Sequence, residues 1–223
     1  MVLPFVASVA ESVGGGIGLG DGSFRVSMAS FATIAEEHVA FDAHTDAAAL
    51  RAAIEASPYA AGATFTSLGF ELVNNTVLPQ ARALSAGVPR VLIVIIDGPA
   101  SIGFDASTAA ADVRSQFTSI LAVGVNGAIS SELIAMASSP TGSTVFEVSE
   151  FNQLASLVPA ISDQTCDIAQ SFTMAPTKPP TTASPTQSPN CGINVVSDGE
   201  CASVIDGMAH YPVLFKQKSQ ITK

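Results

Sequence analysis

VPRVLIVIIDGPAS, residues 88–101, decides how the rest of the chain is read. From Val91 to Ile96 every residue is apolar and most are β-branched, the composition of a strand whose two faces are both covered by helices. Such a strand belongs to a parallel sheet. Asp97 closes the run and is followed at once by Gly98 and Pro99. A carboxylate there stands where open α/β sheets keep their ligand crevice, outside the carboxyl ends of the strands. Asp97 is therefore the first candidate for chemistry, and it reads equally well as the start of a D-G turn.

The flanking segments repeat the alternation of strand and helix. Downstream, 106–117 reads as a helix, 120–124 (ILAVG) as a second buried strand, 131–137 as a short helix, 144–148 as a strand and 151–161 as a closing helix. Upstream, Phe5, Val6, Val9 and Val13 recur at helical spacing. FRVSMASF (24–31) and HVAF (38–41) read as a hairpin joined through 35–37. Thr45 reads as the N-cap of a helix with Asp46 in its first turn, and a long helical pattern runs from the ATFT segment through Leu84. The sum is an α/β fold: a doubly wound, mostly parallel, Rossmann-like sheet with helices on both faces.

Composition excludes several function classes. The 223 residues carry a formal net charge of −10, which argues against nucleic-acid or anionic-membrane partners. No apolar run is long enough to span a bilayer. The amino terminus lacks the basic region of a signal peptide. The glycines of GGGIGLGDG (14–22) have the wrong spacing and context for a phosphate loop. Neither a G-x-S-x-G elbow nor a Walker loop is present, and His38, His44 and His210 are scattered. A non-enzyme is expected, with an α/β hydrolase or transferase using Asp97 as the alternative.

The order of these pieces, with T-x-T before a long helix, VLIVIIDG, ILAVGVNGAISSELIAMASSP and VFEVSEF running into the last helix, resembles a von Willebrand factor type A domain. The resemblance spans residues 1 to about 165. It implies an adhesion or protein-interaction module, secreted or at the cell surface, whose divalent cation, usually Mg²⁺, sits at the top of the sheet and takes an acidic group of the partner. Thr64 and Asp97 match two residues of that site. The D-x-S-x-S motif and the strand before it have no counterpart, so the chain reads as N-terminally truncated, a piece of a longer protein.

That gap has a physical consequence. The missing strand belongs between 25–31 and 91–96, and unpaired backbone groups there cost about 1–3 kcal/mol each. The sheet must close the gap, bind another segment or fold badly. One carboxylate and one hydroxyl should hold Mg²⁺ only weakly, which keeps a metal-independent structural module in play.

The family likeness also implies that Cys166, after the last helix, pairs with a cysteine ahead of the missing strand. From the residues alone, Cys191 and Cys201 are equally able to pair with each other, or all three are free thiols. Residues 166–190 read as a disordered Pro/Thr/Ser-rich linker, and 191–223 as a short tail or the beginning of a second module.

Overall fold

The computed structural model describes residues 2–15, 24–58, 62–83, 87–101 and 106–171, and the backbone of 211–217. Helix α1 (Val2–Gly15) leads into the hairpin β1 (Ser27–Phe31) and β2 (Ala35–Val39), then α2 (Ala47–Glu55) and α3 (Thr66–Leu72). Strand β3 (Arg90–Ile96), α4 (Ala106–Arg114), β4 (Ser119–Val125), α5 (Ser130–Met136), β5 (Val145–Val148) and α6 (Val158–Ser171) follow, and β6 (Tyr211–Gln217) is the final described element. The six strands lie in the order β2-β1-β6-β3-β4-β5. Only the β1–β2 pair is antiparallel.

Both faces of the sheet are covered, as the apolar runs require. Leu92, Val94 and Ile96 of β3 pack with Phe70, Ala110 and Leu133 from α3, α4 and α5. Val91, Ile93 and Ile95 pack with Val6, Ile54 and Ile161 from α1, α2 and α6. The expected stripe of α1 is buried throughout: Phe5, Val6, Val9 and Val13 are at most 4% exposed.

The central gap is filled. Residues 191–223, expected as a tail or the beginning of a second module, contribute β6 to this sheet. It runs parallel to both neighbours, Val213 beside Ser27 on β1 and Tyr211 beside Arg90 on β3. Of the three outcomes open to a sheet lacking its middle strand, the chain takes the second and binds another segment.

Smaller differences have local causes. The turn lies at 32–34, and 35–37 are strand residues, because Glu36 and Glu37 belong to an edge strand with one side in solvent. Asp46, not Thr45, caps α2: its carboxylate accepts the Ala49 N–H at 2.9 Å. The long helix is α only to Leu72, continues as a π-turn over Val73–Val77 and ends in a 3₁₀ turn at Gln80. The closing segment starts as a 3₁₀ turn (Phe151–Leu157) and extends as α6 past Cys166, so that residue is helical. Cys166 is disulfide-bonded, with its partner outside the described residues. The stretch 16–23 and most of the linker also lie outside them.

Gly124 shows how tightly α5 lies on the sheet. A Cβ there would come within 2.4 Å of Leu133 Cδ1 and 3.0 Å of Ala128 Cβ. Gly124→Val is expected to destabilise by about 1–3 kcal/mol through overpacking. Urea denaturation checks it, and an unchanged midpoint would mean that α5 shifts at no cost.

Candidate functional site

Because β1, β3, β4 and β5 run in the same direction, the loops after them gather at one end of the sheet. Asp97 sits there, immediately after β3, and is 1% exposed. Thr64, in the loop before α3, is 8% exposed. Ser101 brings their two loops together: its hydroxyl accepts the Thr64 N–H at 3.0 Å, and its own N–H donates to the Thr64 carbonyl at 2.8 Å. Reciprocal bonds of this kind fix both loops at one point.

Each loop has a second anchor. The Phe65 N–H donates to the Ala32 carbonyl at 3.3 Å, and the Ala63 N–H to Thr33 Oγ1 at 3.1 Å, which ties the Thr64 loop to the end of β1. Gly62 has φ +138°, and a Cβ there would collide with Thr33 Oγ1 at 2.0 Å, so the clamp needs glycine. On the other side, Glu132 in the first turn of α5 accepts the Ala100 N–H at 3.0 Å. That α5 carboxylate therefore holds the Asp97 loop.

From the sequence, Ser101 in DGPAS is a candidate support for the Asp97 loop, with a plain turn role as the stronger reading, and Glu132 has no role. Nothing in the spacing marks either one, since their partners lie 37 and 32 positions away. Thr66, the second threonine of ATFT, is 1% exposed beside Phe31, Phe70 and Val94, and its hydroxyl has no hydrogen-bond partner.

Ser101→Ala removes the acceptor of the Thr64 N–H while leaving the backbone bond. A loss of about 1 kcal/mol is expected, with faster amide exchange confined to 63–65 and 98–101. Exchange that rises elsewhere instead would show that Ser101 does not clamp these loops.

A crevice of about 270 Å³ opens between the ends of β4 and β5, lined by Gly124, Val125, Gly127, Ala128 and Glu147–Ser149. Glu147, in its lining, accepts the Ser130 hydroxyl at 2.7 Å. Two isoleucines in the connections that follow β1 and β4 stand in solvent, Ile34 at 64% exposure and Ile129 at 41%.

As a metal cage the cluster is short of donors. Mg²⁺ wants six oxygens in near-octahedral array. Asp97 and Thr64 offer one carboxylate and one hydroxyl, and the described residues contain no group of three or more His, Cys, Asp or Glu suited to a metal. The middle strand adds no acid, since β6 ends in Lys216-Gln217.

Comparison with known proteins agrees with the architecture. The chain is 34% identical over 128 residues to the mouse collagen alpha-1(XX) chain, which covers 57% of this chain and 9% of that protein. It is also 34% identical over 110 residues to the human collagen alpha-6(VI) chain, covering 48% and 5% respectively. The chain thus spans less than a tenth of the length of these relatives. Among solved structures, proximal thread matrix protein 1 from the mussel byssus superposes with a TM-score of 0.63 at 24% identity, covering 72% of this chain and 39% of that one. A second structure of that protein, with a zinc-occupied MIDAS motif, gives 0.62 at 23% identity. The von Willebrand factor type A domain family matches residues 1–160, the span that carries α1 through β5 and the loop cluster around Asp97, and the chain belongs to that family.

Proposed function

We propose that this chain is an extracellular protein-interaction module, not an enzyme, and that it meets its partner through the loops at the carboxyl end of the sheet. The observation that carries this reading is the hydrogen-bonded loop cluster: Thr64 and Ser101 hold two loops together and Glu132 ties one of them to α5, with Ile34 and Ile129 exposed in the turns after β1 and β4. A pre-organised platform loses little freedom on binding, and exposed apolar side chains beside polar loops are the composition of a contact surface. The relatives support the setting, since they are collagen chains and a byssus matrix protein.

Binding of the chain to an immobilised extracellular-matrix extract tests the proposal. Ile34→Ser with Ile129→Ser is expected to weaken retention by about tenfold or more while the fold is kept. Equal retention of the double variant and the native chain would move the contact elsewhere.

Thr64 and Asp97 are the proposed ligands of any divalent cation at this site, with water completing the shell. Such a site is weak: titration with Mn²⁺ followed by electron paramagnetic resonance is expected to show a Kd of about 1 mM or higher, lost in Asp97→Asn. Micromolar binding would show that other donors join them and would favour a partner carboxylate bridged by metal.

A further inference from the structure

The helix that follows the Thr64 loop carries a stretch whose composition works against a helix. From Val73 to Val77 the sequence is VNNTV. Val, Asn and Thr are all poorer helix formers than the Ala, Glu or Lys that an exposed position accepts freely. The backbone leaves α geometry over the same five residues and forms a π-turn, a distortion frequent at functional sites.

Packing explains the two valines and not the residues between them. Val73 and Val77 belong to the apolar layer on that face of the sheet, and both are 0% exposed. Asn74, Asn75 and Thr76 are exposed. The Asn74 amide donates to the adjacent Asn75 Oδ1 at 3.4 Å, a long bond that ties no other element to the helix. What Thr76 gives to the fold is its carbonyl, which accepts Gln80 Nε2 at 3.0 Å and which any residue would supply. Residues that break a local rule with no structural return point to function.

What these three residues have is their order. Asn74-Asn75-Thr76 is the one N-x-[ST] triplet in the 223 residues, and its middle residue is not proline. That pattern is the acceptor of N-linked glycans, with the hydroxyl of the third residue part of what the transferring enzyme recognises.

We propose that Asn74 Nδ2 is an N-glycosylation site. The co-substrate is a lipid diphosphate-linked oligosaccharide of the secretory pathway. The C1–O bond of its first sugar breaks and a C1–Nδ2 bond forms; the lipid diphosphate leaves with the bonding electron pair, one amide proton passes to solvent, and nothing is oxidised or reduced. Transfer acts on the chain before it folds, so a helix at this position is no obstacle. The folded protein has only to leave room for the sugar, and the exposed face does so. Asn74 lies eight positions beyond Thr66, about 12 Å along the helix from the Thr64 loop. A glycan there leaves the loop surface open. The inference rests on the extracellular reading above, because donor and enzyme belong to the secretory pathway.

The test expresses the full chain behind a cleavable secretion leader in animal cells and digests both medium and lysate with peptide N-glycosidase. A band that migrates faster after digestion is expected, with an aspartate in place of the asparagine at position 74 in the peptide mass map. Asn74→Gln and Thr76→Ala should each abolish the shift, whereas Asn75→Gln and Thr76→Ser should keep it. Because transfer precedes folding, a variant that folds badly still gives its answer in the lysate. A chain unmodified at Asn74 in both fractions overturns the site, and so does an N-glycosidase-sensitive shift that survives Asn74→Gln. The extracellular reading fails differently. Digested and undigested chains should be retained equally on the matrix extract; a glycan at Asn74 with neither form retained would keep the site and remove the partner.

Discussion

A chain ending at residue 205 is expected to lose cooperative unfolding altogether. β6 pairs over five residues with β1 and six with β3. At a net of about 1 kcal/mol per hydrogen bond the ladders contribute on the order of 10 kcal/mol, a sum comparable to the entire stability of a domain. Ordering the strand offsets much of that, at about 1–2 kcal/mol per residue. Removal is nonetheless severe, because the inner edges of β1 and β3 would lie between two apolar layers, where each unpaired group costs about 1–3 kcal/mol. Near-ultraviolet circular dichroism and a urea titration check this: the full chain should show one sharp transition, and the shortened chain a weak signal with a shallow slope. A shortened chain with an unchanged midpoint would mean that β1 and β3 pair directly.

Arg114→Ala should have the next largest effect, a loss of about 2–3 kcal/mol. The guanidinium lies at the end of α4 and donates to the carbonyls of Ala135 at 2.8 Å, Met136 at 3.4 Å and Ala137 at 3.1 Å, the last acceptors of α5. It satisfies groups that the helix leaves unpaired and places a positive charge at the negative end of its dipole. Arg114→Lys should recover less than half, because an ammonium cannot span three carbonyls with a planar fork. The effect reaches the candidate site, since the other end of α5 carries Glu132 on the Asp97 loop. Thermal melts measure the loss, and exchange of the Ala100 amide reads the propagation. A melt within 1 °C of the native chain would show that water replaces the arginine freely.

Buried strands were the most readable part of the sequence. β3 and β4 announce themselves because burial on both faces leaves an unbroken apolar run, and every residue of both is buried. The hairpin was displaced by a few residues because an edge strand such as AEEHV, with its glutamates in solvent, looks like a connection. β6 was not legible as a strand of this sheet for the opposite reason: its proline and lysine argue against a central position, and only the emptiness of the slot directs it there. Asp97 and Thr64 could be singled out because each ends or begins an element with a polar residue where loops converge. Ser101 could be named only as a support of its own loop and Glu132 not at all, because what matters is the partner each meets across the sheet, and no local pattern encodes a contact 30 or more positions away.

The position of β6 also sets an order of events at synthesis. It lies more than a hundred residues beyond the end of β3 and still farther from β1, yet it is the strand that joins them. A ribosome therefore releases β2-β1 and β3-β4-β5, with the six described α-helices, before β6, the strand that pairs with both halves in this structure. Contacts between segments so distant in the chain form late and slowly, and until then two unpaired inner edges are available to any neighbouring nascent chain. The interval between emergence of α6 and emergence of residue 217 is the period in which β1 and β3 lack the partner they share in this structure.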